Sequence, residues 1–233
     1  DETVVGYAEA YLSRESEPFG VHVHLGKWHA QTPAAQSALM DYLVTLTGDF
    51  ANRLTVAFSA YDESQAQFFK GLGMSEIVRV RYYDIPAQLG QGFYKATEHP
   101  KSNPAQIEGW QMPIGRTQSA RYHWEAMFPR LWDAVEGMDS QPIHRLHFSA
   151  AGHEALVCVQ RQLYDSRKAD MLCWSPKALT APLLVALRDW AHRAGYRTLN
   201  LVLDDANAKL LGADADALPN QQVVYGMNVD VDR

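Results

Sequence analysis

Two stretches of this chain spell out the same order of elements, and that constrains the fold more than any single motif. In the first, the β-rich runs VVGYAEAYL and FGVHVHL flank the polar SRESEP as a hairpin would, and a helical pattern then begins at Pro33. The apolar strand LTVAFSA, the short helix ESQAQFFKGLG and the alternating strand EIVRVRYYDI follow. In the second, HEALVCVQRQL, DMLCW, the helix LTAPLLVALRDWAHRAG, TLNLVLDD, a helical ANAKLLGADADAL and QQVVYGMNVDV return in that order. Residues 37–40 align with 181–184, and 54–58 with 198–202. A single repeat of this length is a domain duplication, because each copy has enough strands and helices to bury a core of its own.

The expected fold class is therefore α/β with a mixed sheet, in two tandem domains: residues 1–86, a linker 87–109 rich in Gly, Pro, Asn and Ser, and residues 110–233. LTVAF and TLNLV are continuous apolar runs, as central strands covered on both faces should be. The helices entering at Pro33 and Leu179 should bury Leu39, Leu43 and Leu46 in one domain and Leu183, Leu184 and Leu187 in the other. Ahead of HEALVCV the second copy carries a strand WQMPI, an amphipathic helix RYHWEAMFPRLWDAV and a strand IHRLHFS. The first copy has no counterpart, so the first domain is expected to be incomplete at its amino terminus.

The formal net charge of −6, with no run of Lys and Arg, argues against a nucleic-acid partner. No apolar run approaches the roughly 18 to 20 residues of a membrane span, and DETVVGYAEAYL lacks the basic start and apolar core of a secretory signal. Cys158 and Cys173 are the only cysteines, too few for a disulfide scaffold and not spaced for zinc; they are expected to oppose each other across a hairpin, in a cytoplasmic protein. His22 and His24 share a strand face with His29 nearby, but no Asp, Glu or Cys at ligand spacing joins them, and no metal site is expected.

A hairpin, a helix entered from a strand, a further strand and a short helix ending in FFKGLGM resembles the GNAT N-acyltransferases. YDESQAQFFKGLGMSEIVRV is similar to the carboxyl-terminal segment of that family, and LLVALRDWAHRAGYRTLNLVLDDANAKLLG matches it more loosely. The resemblance covers nearly the whole chain as two GNAT-like domains. It implies acetyl-CoA as co-substrate and a small amine as acceptor, and it leaves room for a homodimer. In the family a glycine-bearing turn at a helix start presents backbone amides to the pyrophosphate. The matching positions here are Gln31, Ala34 and Gln36 in the first copy, with Pro33 removing one donor, and Ser175, Lys177, Ala178 and Thr180 in the second.

Family catalysis asks for an amine deprotonated by a carboxylate or water and, often, a tyrosine that protonates the departing thiolate. The tyrosine position holds Phe69, and Tyr61, Tyr83 or Tyr225 could stand in, Tyr225 being carried forward as the candidate. Glu9 shares a strand face with Tyr7 and Tyr11 and could supply a base at the floor of an acceptor groove. Two readings stay open: an acyl-CoA-dependent N-acyltransferase, and a non-catalytic member whose copies have become binding or pairing modules. On either, the second copy, being complete, should dominate cofactor binding.

Overall fold

The computed structural model describes residues 4–90, 92–99, 103–127 and 143–229. The first half contains the hairpin β1 (Gly6–Arg14) and β2 (Val21–Ala30), helix α1 (Pro33–Phe50), β3 (Arg53–Ser59), α2 (Glu63–Gly71) and β4 (Ser75–Pro86). The connection carries an edge strand β5 (Tyr94–Glu98) and the 3₁₀ turn η1 (Pro104–Ile107), structure that its loop-like composition concealed. β6 (Gln111–Ile114) and α3 (Ala120–Met127) follow; the rest of the aromatic helix expected there lies outside the described residues. The second half is β7 (Ile143–Ala150), β8 (His153–Arg161), β9 (Lys168–Ser175), α4 (Ala181–Arg193), β10 (Thr198–Asp204), the single turn α5 (Asp205–Ala208) and β11 (Asp216–Asn228).

The order of elements repeats as expected, but the two halves do not make separate sheets. The described strands form one 11-stranded sheet in the order β1-β2-β3-β11-β4-β10-β9-β8-β7-β5, with β6 paired off this path to β9. Each half reads outward from the middle in the same way. β2 and β3 are parallel, β3 and β11 antiparallel; β9 and β10 are parallel, β10 and β4 antiparallel. The last strand of each half has crossed into the other, and β4 and β11 pair with each other at the centre.

The expectation that each copy buries its own core is corrected accordingly. Val223 and Tyr225 of β11 belong to the core of the first half, with Leu54, Val56, Phe58 and Phe69. Ile85 of β4 belongs to that of the second, with Leu183, Leu187, Leu199 and Leu201. Leu203 lies opposite Arg81 and Val223 opposite Arg79, and residues opposite each other in a ladder share a face. Both cores therefore lie on one face of the sheet, under α1, α2 and α4. Helix α3 packs on the other face, where Trp124 meets Trp174 edge to face and Ala120, Leu156 and Cys158 close a third cluster.

Two helices depart from expectation. In α4, Leu183, Leu184 and Leu187 are buried, but α1 buries Met40, Leu43 and Thr47 and leaves Leu39 and Leu46 half-exposed. The helix read across ANAKLLGADADAL is one turn only: its acid-rich second part, interrupted by Gly212, offers no apolar stripe, and β11 begins at Asp216. The two cysteines do lie on adjacent antiparallel strands, but one register step apart: Cys173 is opposite Val157 and Cys158 opposite Leu172, so they face opposite sides of the sheet. No helix among the described residues is long and apolar enough to cross a membrane.

Candidate functional site

The parallel strand pair in each half opens into a cleft. β2 and β3 are paired only from Val23↔Leu54 to Leu25↔Val56, although β2 runs on to Ala30 and β3 to Ser59. β9 and β10 are paired only from Lys168↔Thr198 to Asn200↔Asp170 and then diverge likewise. Beyond the last pair, the two strands of each half no longer pair with each other.

In the second half the chain fills this opening itself. β6 pairs with β9 at Gln111↔Ser175 and Ile114↔Cys173, and the Gly115 amide donates to the Val202 carbonyl of β10 at 2.8 Å. Met112, Pro113, Ile114 and Gly115 are buried there. A side chain at Gly115 (φ 90°) would come within 2.2 Å of Leu172, so the strap can lie this close only as glycine. The extra strand WQMPI, part of what makes the second copy the more complete, thus occupies that copy's opening.

The first cleft has no inserted strand among the described residues, and it has a feature that the second lacks. The β1–β2 register runs Glu9↔Lys27 and then Ala10↔Leu25, so Gly26 is an extra residue on β2. This bulge sits immediately past the last β2–β3 pair, where it turns the backbone at the apex of the opening. The corresponding β8–β9 ladder is regular. After the bulge the parity of β2 flips, which swings Trp28 to the helix-covered face. There it stacks on Phe68 and meets Phe69 edge to face, and Phe58 stacks on Phe69.

On the opposite face, Tyr11 of β1 and Tyr122 of α3 meet edge to face at 5.2 Å over Gly26. The Tyr11 hydroxyl donates to Glu9 Oε2 at 3.3 Å, and Lys27 Nζ lies 3.7 Å from the same oxygen. Burial, and next the Glu9 charge, push the Tyr11 phenol up from its ordinary pKa. Below these residues His24 is buried between Thr55 and Gln118, with Nδ1 2.9 Å from Thr55 Oγ1 and Nε2 2.7 Å from Gln118 Oε1. His22 is buried beside Glu15, whose carboxylate accepts from Ser13, Arg116 and the Ala120 amide. His29 is exposed on the far side of the bulge.

Of the residues singled out in the sequence, the structure brings Glu9 to the bulge, while Tyr225 lies two strands over in the row Leu25↔Val56↔Tyr225, on the other face of the sheet. Tyr225 is 5% exposed on the helix-covered face, edge to face with Phe58. At the first turn, the Gln31 amide donates to Val5 O at 2.8 Å and its side chain to Val4 O. Thr32 caps α1 by accepting from the Ala35 amide, and the Gln36 amide donates to Thr32 O. With Pro33 lacking an N–H, Ala34 offers the remaining amide of that turn. At the second turn, Ser175 is buried, donating to Glu154 O and accepting from the Lys177 amide, while Lys177 and Ala178 are exposed and Thr180 caps α4. Gly26 was missed because no alternation or turn signal marks a bulge; an isolated glycine inside VHVHLGKWHA was the one available sign.

An acyl-CoA molecule tests these two openings differently. The first offers an unpaired strand edge and bulge amides at its apex, which suit an acyl thioester and its amide-bearing arm, with Ala34 and the start of α1 at its end. In the second, β6 lies between the diverging strands.

No family model matches the sequence, and no curated protein is significantly similar to it. Solved structures do match. A GCN5-related N-acetyltransferase from Anabaena variabilis superposes with a TM-score of 0.61 at 12% identity, covering 96% of this chain and 60% of its own. Eis1 from Mycobacterium abscessus superposes with a TM-score of 0.55 at 14% identity, covering 97% of this chain and 62% of its own. The chain thus spans about three fifths of the length of these two neighbours. The fold of this protein is that of the GCN5-related N-acetyltransferases, GNAT for short.

Proposed function

We propose that the protein is an acyl-CoA-dependent N-acyltransferase unit, transferring an acetyl group to a small amine in the first half, and that the second half is a non-catalytic pairing copy. The observation that carries the reading is the bulge at Gly26, set at the apex of the β2–β3 opening with Glu9 across from it. Amides freed at a bulge can polarise a thioester carbonyl without reorganising, which is where the developing negative charge needs donors. The acceptor nitrogen forms its bond to the carbonyl carbon as the carbon–sulfur bond breaks. Glu9 takes the proton that the amine must lose, and Tyr11 holds that carboxylate toward the bulge. Phe69 has no proton to give, so the thiolate takes one from solvent. The strap through the second opening favours the pairing role for that half.

Calorimetric titration with acetyl-CoA, followed by thiol release in the presence of a panel of primary amines, tests the reading. One site per chain with turnover of at least one amine is the expected result. No binding removes the proposal, and two sites of equal affinity remove the closed second half.

A further inference from the structure

The amine nearest the bulge belongs to the chain itself. Lys27 follows Gly26 directly and lies opposite Glu9 in the β1–β2 ladder, so the two side chains rise on one face of the sheet, the face that carries Tyr11. Lys27 Nζ stands 3.7 Å from Glu9 Oε2, the same oxygen that accepts from the Tyr11 hydroxyl. The other lysines among the described residues lie elsewhere. Lys70 is in the last turn of α2, Lys95 is on β5, Lys168 of β9 pairs with Asp84, Lys177 precedes α4 and Lys209 follows α5.

This position has chemical consequences. A primary alkylammonium must lose a proton before its nitrogen can attack a carbonyl carbon, and Lys27 stands beside the carboxylate proposed above to take one. At 3.7 Å the contact is longer than a hydrogen bond, and a lysine carries its charge on a flexible four-carbon stem. The nitrogen can therefore turn from Glu9 toward the apex, one residue away. Tethering adds to this, since a nucleophile held next to a reacting centre has an effective concentration that an amine in solution does not reach.

Resting on the acyltransferase reading of the first half, we propose that Lys27 is a modification site, acetylated by its own chain from acetyl-CoA as the first acceptor that the site meets. Glu9 takes one proton from Nζ, the nitrogen bonds to the acetyl carbonyl carbon, and the carbon–sulfur bond breaks. The nitrogen gives a second proton to water as the amide forms, the departing thiolate takes one from water, and Glu9 returns its own to solvent. One free thiol appears for each amide, and no oxidant or further reactant enters. The amide is uncharged, so Glu9 loses its ion pair and its carboxylate passes to an external amine. Later turnovers then use an acceptor from solution.

The test is mass spectrometry of the intact chain incubated with acetyl-CoA and no added amine, with peptide mapping and a thiol assay on the same samples. Lys27 should gain one acetyl group at least about tenfold faster than the exposed Lys95 or Lys209, with one equivalent of thiol released and a rate constant unchanged by dilution of the protein. Glu9→Gln should slow the gain at Lys27 by at least about tenfold and leave that at Lys95 as it was. Lys27→Arg keeps a positive charge beside Glu9 and should release no stoichiometric thiol. Modification of Lys27 no faster than that of Lys95, or at a rate that rises with protein concentration, overturns the proposal. Adding an amine from the panel separates it from the reading beneath it. Turnover of that amine with Lys27 unmodified removes the self-acetylation alone, whereas failure to bind acetyl-CoA removes both.

Discussion

Gly26 lies under the ring of Tyr122, so close that a β-carbon on it would stand 3.1 Å from Tyr122 Cδ2 and 2.9 Å from Tyr11 Cε2. The two rings pack against the α3 face of the bulge, and a side chain at residue 26 would force one of them to move. Gly26→Ala should destabilise the protein by about 1–3 kcal/mol through overpacking. Adding Tyr122→Ala should relieve part of that cost, which distinguishes a local clash from a general backbone effect. Urea unfolding of the two single variants and the double variant measures the coupling, and additive losses would refute it.

Glu9 and Tyr225 were both singled out as catalytic candidates, and the sheet separates them onto opposite faces. On the proposed chemistry, Glu9→Gln should lower kcat by about 10²–10⁴-fold, the usual contribution of a positioned base, with little change in acetyl-CoA affinity. Tyr225→Phe should leave kcat within about twofold. Steady-state rates for the two variants with the best amine of the panel decide between them.

His24, buried, and His123, half-buried, lie on the α3 side and are held neutral. Burial, with Arg116 and His24 adding, takes His123 down to about 3, and its Nε2 accepts from the amides of Thr117 and Gln118. Burial takes His24 to about 3 against the raising effect of its bond to Gln118. Both folded values lie below the ordinary 6.5, so between them the unfolded chain binds protons that the folded chain refuses. Their contribution is complete above about pH 6.5 and lost as the pH falls toward about 3, at about 1.4 kcal/mol per pH unit for each histidine. His123→Gln should flatten the decline of stability between pH 6 and 4 by about one proton, read from unfolding midpoints across that range.

The repeat, the strand and helix order and the family resemblance were legible in the sequence because hydrophobic periodicity is local. VHVHL alternates and TLNLV does not, whichever strands they meet. What was not legible is partnership: nothing in SEIVRVRYYDIP or in DALPNQQVVYGMN says that each pairs in the other half, since a ladder is made of backbone groups that every sequence carries. The strap had the same character. WQMPI reads as a strand, and only its neighbours show that it lies between the diverging β9 and β10. Glu9 was found by its strand face, whereas the bulge opposite it depends on a register that a single strand does not contain.

Because the last strands are exchanged, neither half should unfold alone. β4 lies between β11 and β10, and β11 lies between β3 and β4, so removing either strand opens both cores at once. Trp28 reports on the first half, Trp124 and Trp174 on the second, and their environments belong to different clusters. Fluorescence of variants that retain only Trp28, or only Trp124 and Trp174, should therefore change at a common urea concentration, as expected of one cooperative unit. Val223→Ala makes the sharper test. Val223 comes from the end of the chain but is 2% exposed within the core of the first half, so truncating it should cost about 1–3 kcal/mol. Both tryptophan signals should shift to lower urea together. A shift confined to the Trp28 signal would show that the halves are independent units joined only by their shared sheet, and would overturn the coupling.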